Sequence, residues 1–307
     1  MRASVTVRVP GSTSNLGSGF DCVGVAVDRW LTLTATLASS SSAAVAIERR
    51  GTLDVVTVVA EQDLCYRGFL KACAVAGHTS LPAVLLSAES GIPVARGLGS
   101  SAAAAVAGAA AANALLGLGL EREALVELCT DLEGHPDNVA PAVHGGALLA
   151  VRAPTGNDLV VTDLAVHASL ALVFAVPDFV VETKQARAVL PESVPHATAA
   201  AGAGRAAALV QGLASADPRL LAVGLDDVLH VPFRRRLVPG YDAVVSAALG
   251  AGAFGATLSG SGPTILAIAS SQRSSGVGEA MVRAWRQGGM RAESLVAGRP
   301  AGGYEIT

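Results

Sequence analysis

Four short segments carry residues whose types and spacing can do chemistry. The first is Pro93-Val94-Ala95-Arg96-Gly97-Leu98-Gly99-Ser100-Ser101-Ala102-Ala103, a glycine turn feeding a long alanine-rich run. If that run is a helix, its first four N–H groups have no internal partner and its macrodipole places partial positive charge at that end. Glycines let an anion approach the backbone with no Cβ in the way. Ser100 or Ser101 can turn a hydroxyl toward a phosphate oxygen or Mg2+. A helix end alone contributes only about 0.3–1 kcal/mol toward an anion, so several donors have to converge. Taken by itself, the segment reads more simply as a turn in which Ser100 caps the helix.

The second segment, Glu133-Gly134-His135-Pro136-Asp137-Asn138, sets two carboxylates, an imidazole and an amide between a helix and the apolar stretch Val139–Val143. Alone it is good turn chemistry, and His135 alone reads as a hydrogen-bonded turn residue. The third, Gly255-Ala256-Thr257-Leu258-Ser259-Gly260-Ser261-Gly262-Pro263-Thr264, is either a flexible hairpin or a backbone that packs on another loop or on a nucleotide. In the fourth, Pro10 to Asp21, Asn15 and Asp21 are turn formers or groups that recognise a ligand's amine and hydroxyl.

The rest of the chain narrows the choice. Its 307 residues suggest two domains in one body, with enough length to bury a core unaided. With 51% hydrophobic residues, disorder is excluded; 4% aromatics and a net charge of −3 disfavour nucleic acid as a partner. The only lysines, Lys71 and Lys184, stand in no G-K-[ST] context, so there is no Walker-A loop. Backbone amides, arginine or a metal would therefore hold any phosphate. Cys22, Cys65, Cys73 and Cys129 form no C-x-x-C pair and read as reduced thiols of a cytosolic protein. The N-terminus shows no signal peptide, and Ala102–Leu120 is too rich in alanine and glycine to span a membrane, so it reads as a buried helix.

The elements that must position these segments follow from periodicity. Strands are expected at Val5–Val9, ending at Pro10, then at Val23–Leu37, Val45–Ile47, Val55–Val59 and Leu81–Ala88, with Gly11–Gly19 a loop. Helices are expected at Gln62–Ala76, Ala102–Leu116 and Glu121–Leu132, the last stopped by Gly134. Strands at Ala147–Val151 and Ser169–Val176 precede helices near Thr183–Val189, Pro195–Ala214 and Pro218–Leu229. A hairpin, Gly255–Ser259 with Thr264–Ala269, and a helix near Ser275–Gln287 close the chain, and Ala153–Asp158 is the best boundary. The mixture is α+β in two layers.

Together the four segments resemble the GHMP kinase superfamily and, within it, the homoserine kinase family. P-x-x-x-G-L-G-S-S-A-A is the superfamily's phosphate-binding signature; P-G-S-T-S-N-L-G-S-G-F-D, E-G-H-P-D-N-V-A-P-A and S-G-S-G-P-T are the homoserine kinase forms of the others. Thr183–Pro191 and Pro232-Phe233-Arg234 agree as well, so the matches run in order from Val9 to Pro263. The resemblance implies an N-terminal ATP-binding domain (1–153) with a ribosomal-S5-domain-2-like, left-handed βαβ unit, and a ferredoxin-like C-terminal domain (154–307). It implies transfer of the ATP γ-phosphoryl group to the L-homoserine hydroxyl, giving O-phospho-L-homoserine for threonine biosynthesis. Its alternatives are a GHMP kinase acting on another alcohol, or a non-catalytic nucleotide-binding relative. The expected assembly is a cytosolic homodimer without nucleic acid or membrane partners.

The resemblance also assigns roles. Pro93 to Ala103, with Ser261, would wrap the triphosphate. Ser101 and Glu133 would hold Mg2+, with Glu127 a weaker alternative to Glu133. Arg187 and Arg234 would clamp the substrate carboxylate, since a guanidinium fork binds it bidentately; within Arg234-Arg235-Arg236 the register rests on the resemblance. Asp21 would accept the ammonium group or the reacting hydroxyl, and Asn15, His135 and Asn138 would complete the pocket. Relatives such as mevalonate kinase carry a lysine in the first motif near a catalytic aspartate. Here Pro10–Thr13 has none, so Asp137 is a site residue with no proton abstraction assigned to it.

Overall fold

A computed structural model describes residues 3–38, 45–79, 81–155 and 158–307. Gly156 and Asn157, inside the boundary stretch Ala153–Asp158, lie outside the described residues. The first half of the chain runs β1 (Ser4–Asn15), β2 (Gly19–Leu37), β3 (Val45–Gly51), α1 (Leu64–Val75), β4 (Val84–Ser90), α2 (Ser100–Leu116), α3 (Arg122–Glu133), α4 (Val139–His144), β5 (Ala147–Arg152) and β6 (Leu159–Asp163). The second half runs β7 (Leu170–Pro177), α5 (Thr183–Ala188), α6 (His196–Ser215), α7 (Pro218–Leu225), α8 (Val231–Arg234), α9 (Tyr241–Gly250), β8 (Gly255–Leu258), β9 (Ile265–Ser270), α10 (Ser274–Gln287), β10 (Ala292–Ala297) and β11 (Glu305–Ile306).

Two sheets organise these elements. The first has the order β11-β1-β2-β4-β3, with β5 also on β2 and β6 on β5; β3 and β4 are parallel and joined through α1. The second, β10-β7-β9-β8, is antiparallel throughout. Numbered within that half, its strands stand 4-1-3-2, with helices after the first and third, which is the ferredoxin-like arrangement. The last strand, β11, crosses back to pair Ile306 with Val7 of β1, so both ends of the chain meet in the first sheet.

The alanine-rich run is a helix because it has to be thin. Every residue of α2 from Ala102 to Ala112 is buried, and its neighbour α1 approaches to backbone contact. A Cβ on Gly108 would sit 1.7 Å from the Cys65 carbonyl oxygen, and one on Gly68 2.1 Å from that of Ala105. The helix ends at Leu116 with left-handed Gly117. Among the described residues no helix is long and apolar enough to cross a membrane.

Several elements differ from the sequence reading. Pro10 does not end β1: the strand continues to Asn15 past a register shift between Pro10, opposite Trp30, and Gly11, opposite Val27. A bulge tolerates the missing proline N–H, and only Leu16–Ser18 remain as a turn. Val55–Val59 is not a strand; a 3-10 turn takes Thr52–Val55, and Val55, Val58 and Val59 stay exposed because no sheet neighbour covers them. The expected helix at Pro218–Leu229 stops at Leu225, where Asp226 and Asp227 turn the chain. Periodicity did not mark α4, β6, α9, β10 or β11, which are short or built from small residues.

The α1–α2 crossing yields a test. Gly108→Ala forces the helices apart, and overpacking of this kind costs about 1–3 kcal/mol, so the thermal midpoint should fall by several degrees. Gly204→Ala, in α6 with nothing within 4 Å of its Cβ position, should hold or raise it.

Candidate active site

A cleft of about 370 Å³ opens between the two sheets. Four walls meet there: Val94–Ser101 before and into α2, Glu133 to Asn138 between α3 and α4, the β1–β2 turn with Ser14, Asn15 and Asp21, and Arg187, Arg234, Gly260 and Ser261 from the second half. Its far end is apolar, with Leu53, Val56, Val58, Leu64 and Ala88. Pro93, Ala102 and Ala103, expected among the phosphate-loop residues, do not line it; the two alanines are buried in the helix.

The start of α2 is built to be left open. Gly99, not Ser100, is the N-cap, in the left-handed region at φ 69° and ψ 24°, and no side chain caps the helix. The first-turn amides therefore lack the usual oxygen partner. A Cβ on Gly99 would lie 2.1 Å from Ser12 Oγ, and one on Gly97 2.2 Å from the Ser259 carbonyl oxygen. Ser12 N–H donates to Leu98 O at 3.1 Å, and Ser259 Oγ donates to Gly97 O at 2.5 Å. The β8–β9 turn also donates Gly260 N–H to Ser14 O and accepts from Asn15 Nδ2 at its Gly260 carbonyl, both at 3.0 Å. The Ser/Gly run thus packs its backbone on the end of β1 and on the loop before α2, one of the readings open for it. Arg96 is tied sideways, its Nη2 donating to Asp178 O at 2.7 Å.

Ser101 Oγ donates to a Glu133 carboxylate oxygen at 2.7 Å. Burial raises the Glu133 pKa, against the pull of the Ser101 hydrogen bond. A carboxylate that burial disfavours as a free anion, facing a hydroxyl, is a hard-oxygen pair suited to Mg2+. Among the described residues no three His, Cys, Asp or Glu side chains converge on a metal, so an ion here would draw its remaining oxygens from phosphates or water. Glu127 lies elsewhere, in a second cavity with Glu123, His144 and Asp163. Glu133 is the carboxylate that faces the loop.

Beside it, His135 Nδ1 and Asp137 Oδ1 are 2.6 Å apart. Burial pushes the His135 pKa down, but the hydrogen bond and charge of Asp137 outweigh it and the net shift is upward. Asp137, 1% exposed, also accepts from Asn138 Nδ2 at 3.2 Å, while Asn138 accepts from Ser12 Oγ and donates to Ser14 Oγ, each at 2.9 Å.

On the opposite wall Asp21 adopts a left-handed backbone, φ 57°, with its N–H donated to Asn15 Oδ1 at 2.9 Å. Its carboxylate takes Arg187 bidentately at 2.8 and 3.1 Å. Arg234 is 2% exposed, and among the described residues no carboxylate forms an ion pair with it. Burial, then the like charge of Arg187, lowers its pKa to about 10. Arg235 and Arg236 are exposed, the former paired with Asp242 at 3.3 Å, so Arg234 is the cleft-facing member of the triplet. The apolar end of the cleft, Phe20 and His230 were not singled out by their spacing. Val55–Val59 did stand out, as a strand.

A family model of the GHMP kinases N terminal domain matches residues 63–146, and one of the GHMP kinases C terminal matches residues 209–287. The chain is 41% identical, over 94% of both chains, to homoserine kinase of Trichormus variabilis. It is 42% identical, over 95% of this chain and 94% of the relative, to that of Synechococcus sp.. The crystal structure of homoserine kinase from Cytophaga hutchinsonii superposes with a TM-score of 0.88 at 31% identity, covering 100% of this chain and 98% of the other. L. major mevalonate kinase in complex with R-mevalonate, at 15% identity and TM-score 0.69, shares the fold over 96% of each chain.

The open helix end predicts a nucleotide phenotype. Gly99→Ala requires a left-handed alanine, at about 1–2 kcal/mol, and sets a methyl against Ser12. Titration calorimetry should show ATP bound about ten-fold more weakly.

Proposed function

Because the chain belongs to the GHMP kinases and, among them, to the homoserine kinase family, we propose that this cleft is where its reaction takes place. The activity is ATP-dependent phosphorylation of L-homoserine to O-phospho-L-homoserine, a step of threonine biosynthesis. One observation supports placing it here above all: buried Arg234, with no carboxylate partner, and the Asp21–Arg187 pair share one cleft with an uncapped helix end.

The loop from Val94 to Ser101 cradles the triphosphate with its amides, Ser261 reaches it from the second sheet, and the base fits the apolar end at Leu53, Val56, Val58 and Leu64. Ser101 and Glu133 would hold Mg2+, which neutralises charge on the β- and γ-phosphates when bound. Homoserine is a zwitterion. Its ammonium group goes to Asp21 and its carboxylate to Arg187 and Arg234, so the Asp21–Arg187 bridge opens to admit it. Asn15 fixes the Asp21 backbone, and Asn138, held between Ser12 and Ser14, orients the hydroxyl beside His135.

The hydroxyl oxygen bonds to the γ-phosphorus as the bond to the β–γ bridging oxygen breaks and ADP leaves, and the hydroxyl proton passes to a transferred-phosphate oxygen or to solvent. His135 and Asn138 both bond Asp137 at Oδ1, and no base is assigned. In a loose transition state the attacking hydroxyl needs little activation, so positioning and charge stabilisation carry the reaction. Residues 1–153 thus supply most of the nucleotide site. Residues 154–307 supply Arg187, Arg234 and Ser261, while β6 and β11 return to complete the first sheet. The four free cysteines fit a reducing cytosol, and light scattering tests the homodimer.

ADP release with L-homoserine, set beside mevalonate, galactose and shikimate, tests the substrate; turnover of mevalonate alone would overturn it. Glu133→Ala should lower kcat by about a hundred-fold or more, because charge neutralisation acts in the transition state. Near-normal kcat would move the metal role elsewhere. Arg187→Ala should raise KM for homoserine by about ten-fold or more, with KM for ATP little changed. An unchanged KM would remove Arg187 from the clamp.

A further inference from the structure

Arg234 is held by groups other than a carboxylate. Its Nε donates to Ala186 O at 3.1 Å, and its Nη1 lies 3.3 Å from His230 Nδ1 and 3.4 Å from Gly260 O. The guanidinium stands over the Phe20 ring, 5.1 Å from its centroid. With Nε and Nη1 engaged, Nη2 is the nitrogen left for the cleft that Arg234 lines.

His230 is wholly buried and uses both ring nitrogens. Its Nε2 lies 3.0 Å from Gly17 O, and its ring stacks on Phe20 at 4.8 Å. A carbonyl oxygen only accepts, so Nε2 carries the proton; a guanidinium only donates, so Nδ1 offers its lone pair to Arg234. The two contacts fix a neutral ring in one tautomer. Burial lowers the His230 pKa and favours that state. Behind the ring, Asp227 Oδ2 accepts from the N–H groups of Leu229, His230 and Val231 at 3.0, 2.6 and 2.7 Å, which sets the backbone from which His230 and α8 start. Gly17 belongs to the turn between Asn15 and Asp21, and that turn is anchored on α7 by Ser18 Oγ donating to Gly224 O at 2.6 Å.

We propose that His230 is a positioning residue for the substrate carboxylate: its Nδ1 holds Arg234 Nη1 from behind, so that Nη2 faces the cleft, while its Nε2–H locks that arginine to the turn carrying Asn15 and Asp21. This rests on the reading of Arg234 as the carboxylate ligand. His230 touches no substrate and acts through the arginine, joining the groups on α8 and on the β1–β2 turn that receive the two ends of one small molecule.

Two near-isosteric variants separate this role from packing. His230→Gln reaches the Nε2 position and keeps a donor to Gly17, but takes the acceptor away from Arg234. His230→Asn keeps an acceptor near the Nδ1 position. The first should raise KM for L-homoserine about ten-fold, the scale of a lost charge-assisted hydrogen bond, with KM for ATP and kcat within about two-fold. The second should recover most of that loss, and matched thermal midpoints would show both folded. The proposal is overturned if His230→Gln leaves KM for homoserine unchanged, if KM for ATP rises in step, or if His230→Asn is no better than His230→Gln. Lack of homoserine turnover by the unaltered protein would instead remove the reading of the cleft on which it rests.

Discussion

The fold turns on a helix end that the protein declines to satisfy. Most helices close their first turn with a side-chain oxygen; α2 begins at a left-handed glycine with none. That end is not loose. Ser12 from β1 and Ser259 from the β8–β9 turn grip the carbonyls of Leu98 and Gly97, so both sheets hold the loop while its amides stay open. Packing explains the rest of the helix. A core helix wedged between α1 and a sheet must be narrow, and alanine with Gly108 makes it so.

On the opposite wall the problem is charge rather than backbone. Two arginines share a confined space, and only one has a carboxylate. Burying a guanidinium without a counter-ion is costly unless its N–H groups are bonded. Carbonyls of Ala186 and Gly260, the Phe20 face and the His230 lone pair together stand in for that counter-ion. The result is a buried cation held rigid at the wall of the cleft, where the proposed reading brings the substrate carboxylate.

How much of this could be read from the chain alone depended on the kind of constraint. Gly97 and Gly99 were legible because their backbone leaves no alternative residue, and α2 because a long alanine run does one thing well. The ferredoxin-like half was legible only through resemblance; periodicity missed β10, α9 and the return of β11, since short strands and small-residue helices have weak patterns. Ser12 to Ser14 looked like a loop by composition, yet their hydroxyls are spent on buried partners inside a strand. Val55–Val59 had strand chemistry without a neighbouring strand to pair with. Arg234 could not be told from Arg235 and Arg236 until α8 turned one inward, and His230 had no local signal because its partners lie more than 200 residues away at Gly17 and on a helix turn of its own.

The Asp21–Arg187 bridge carries a consequence for selectivity. The pair is matched within itself, and on the proposed roles an amino acid entering the cleft exchanges that one internal ion pair for two external ones, its ammonium on Asp21 and its carboxylate on Arg187 with Arg234 beside it. On the same roles a molecule bearing only an amine would take Asp21 and strand Arg187, while one bearing only an acid would meet Arg234 alone or strand Asp21. The lock therefore discriminates by the arithmetic of sign before it discriminates by shape.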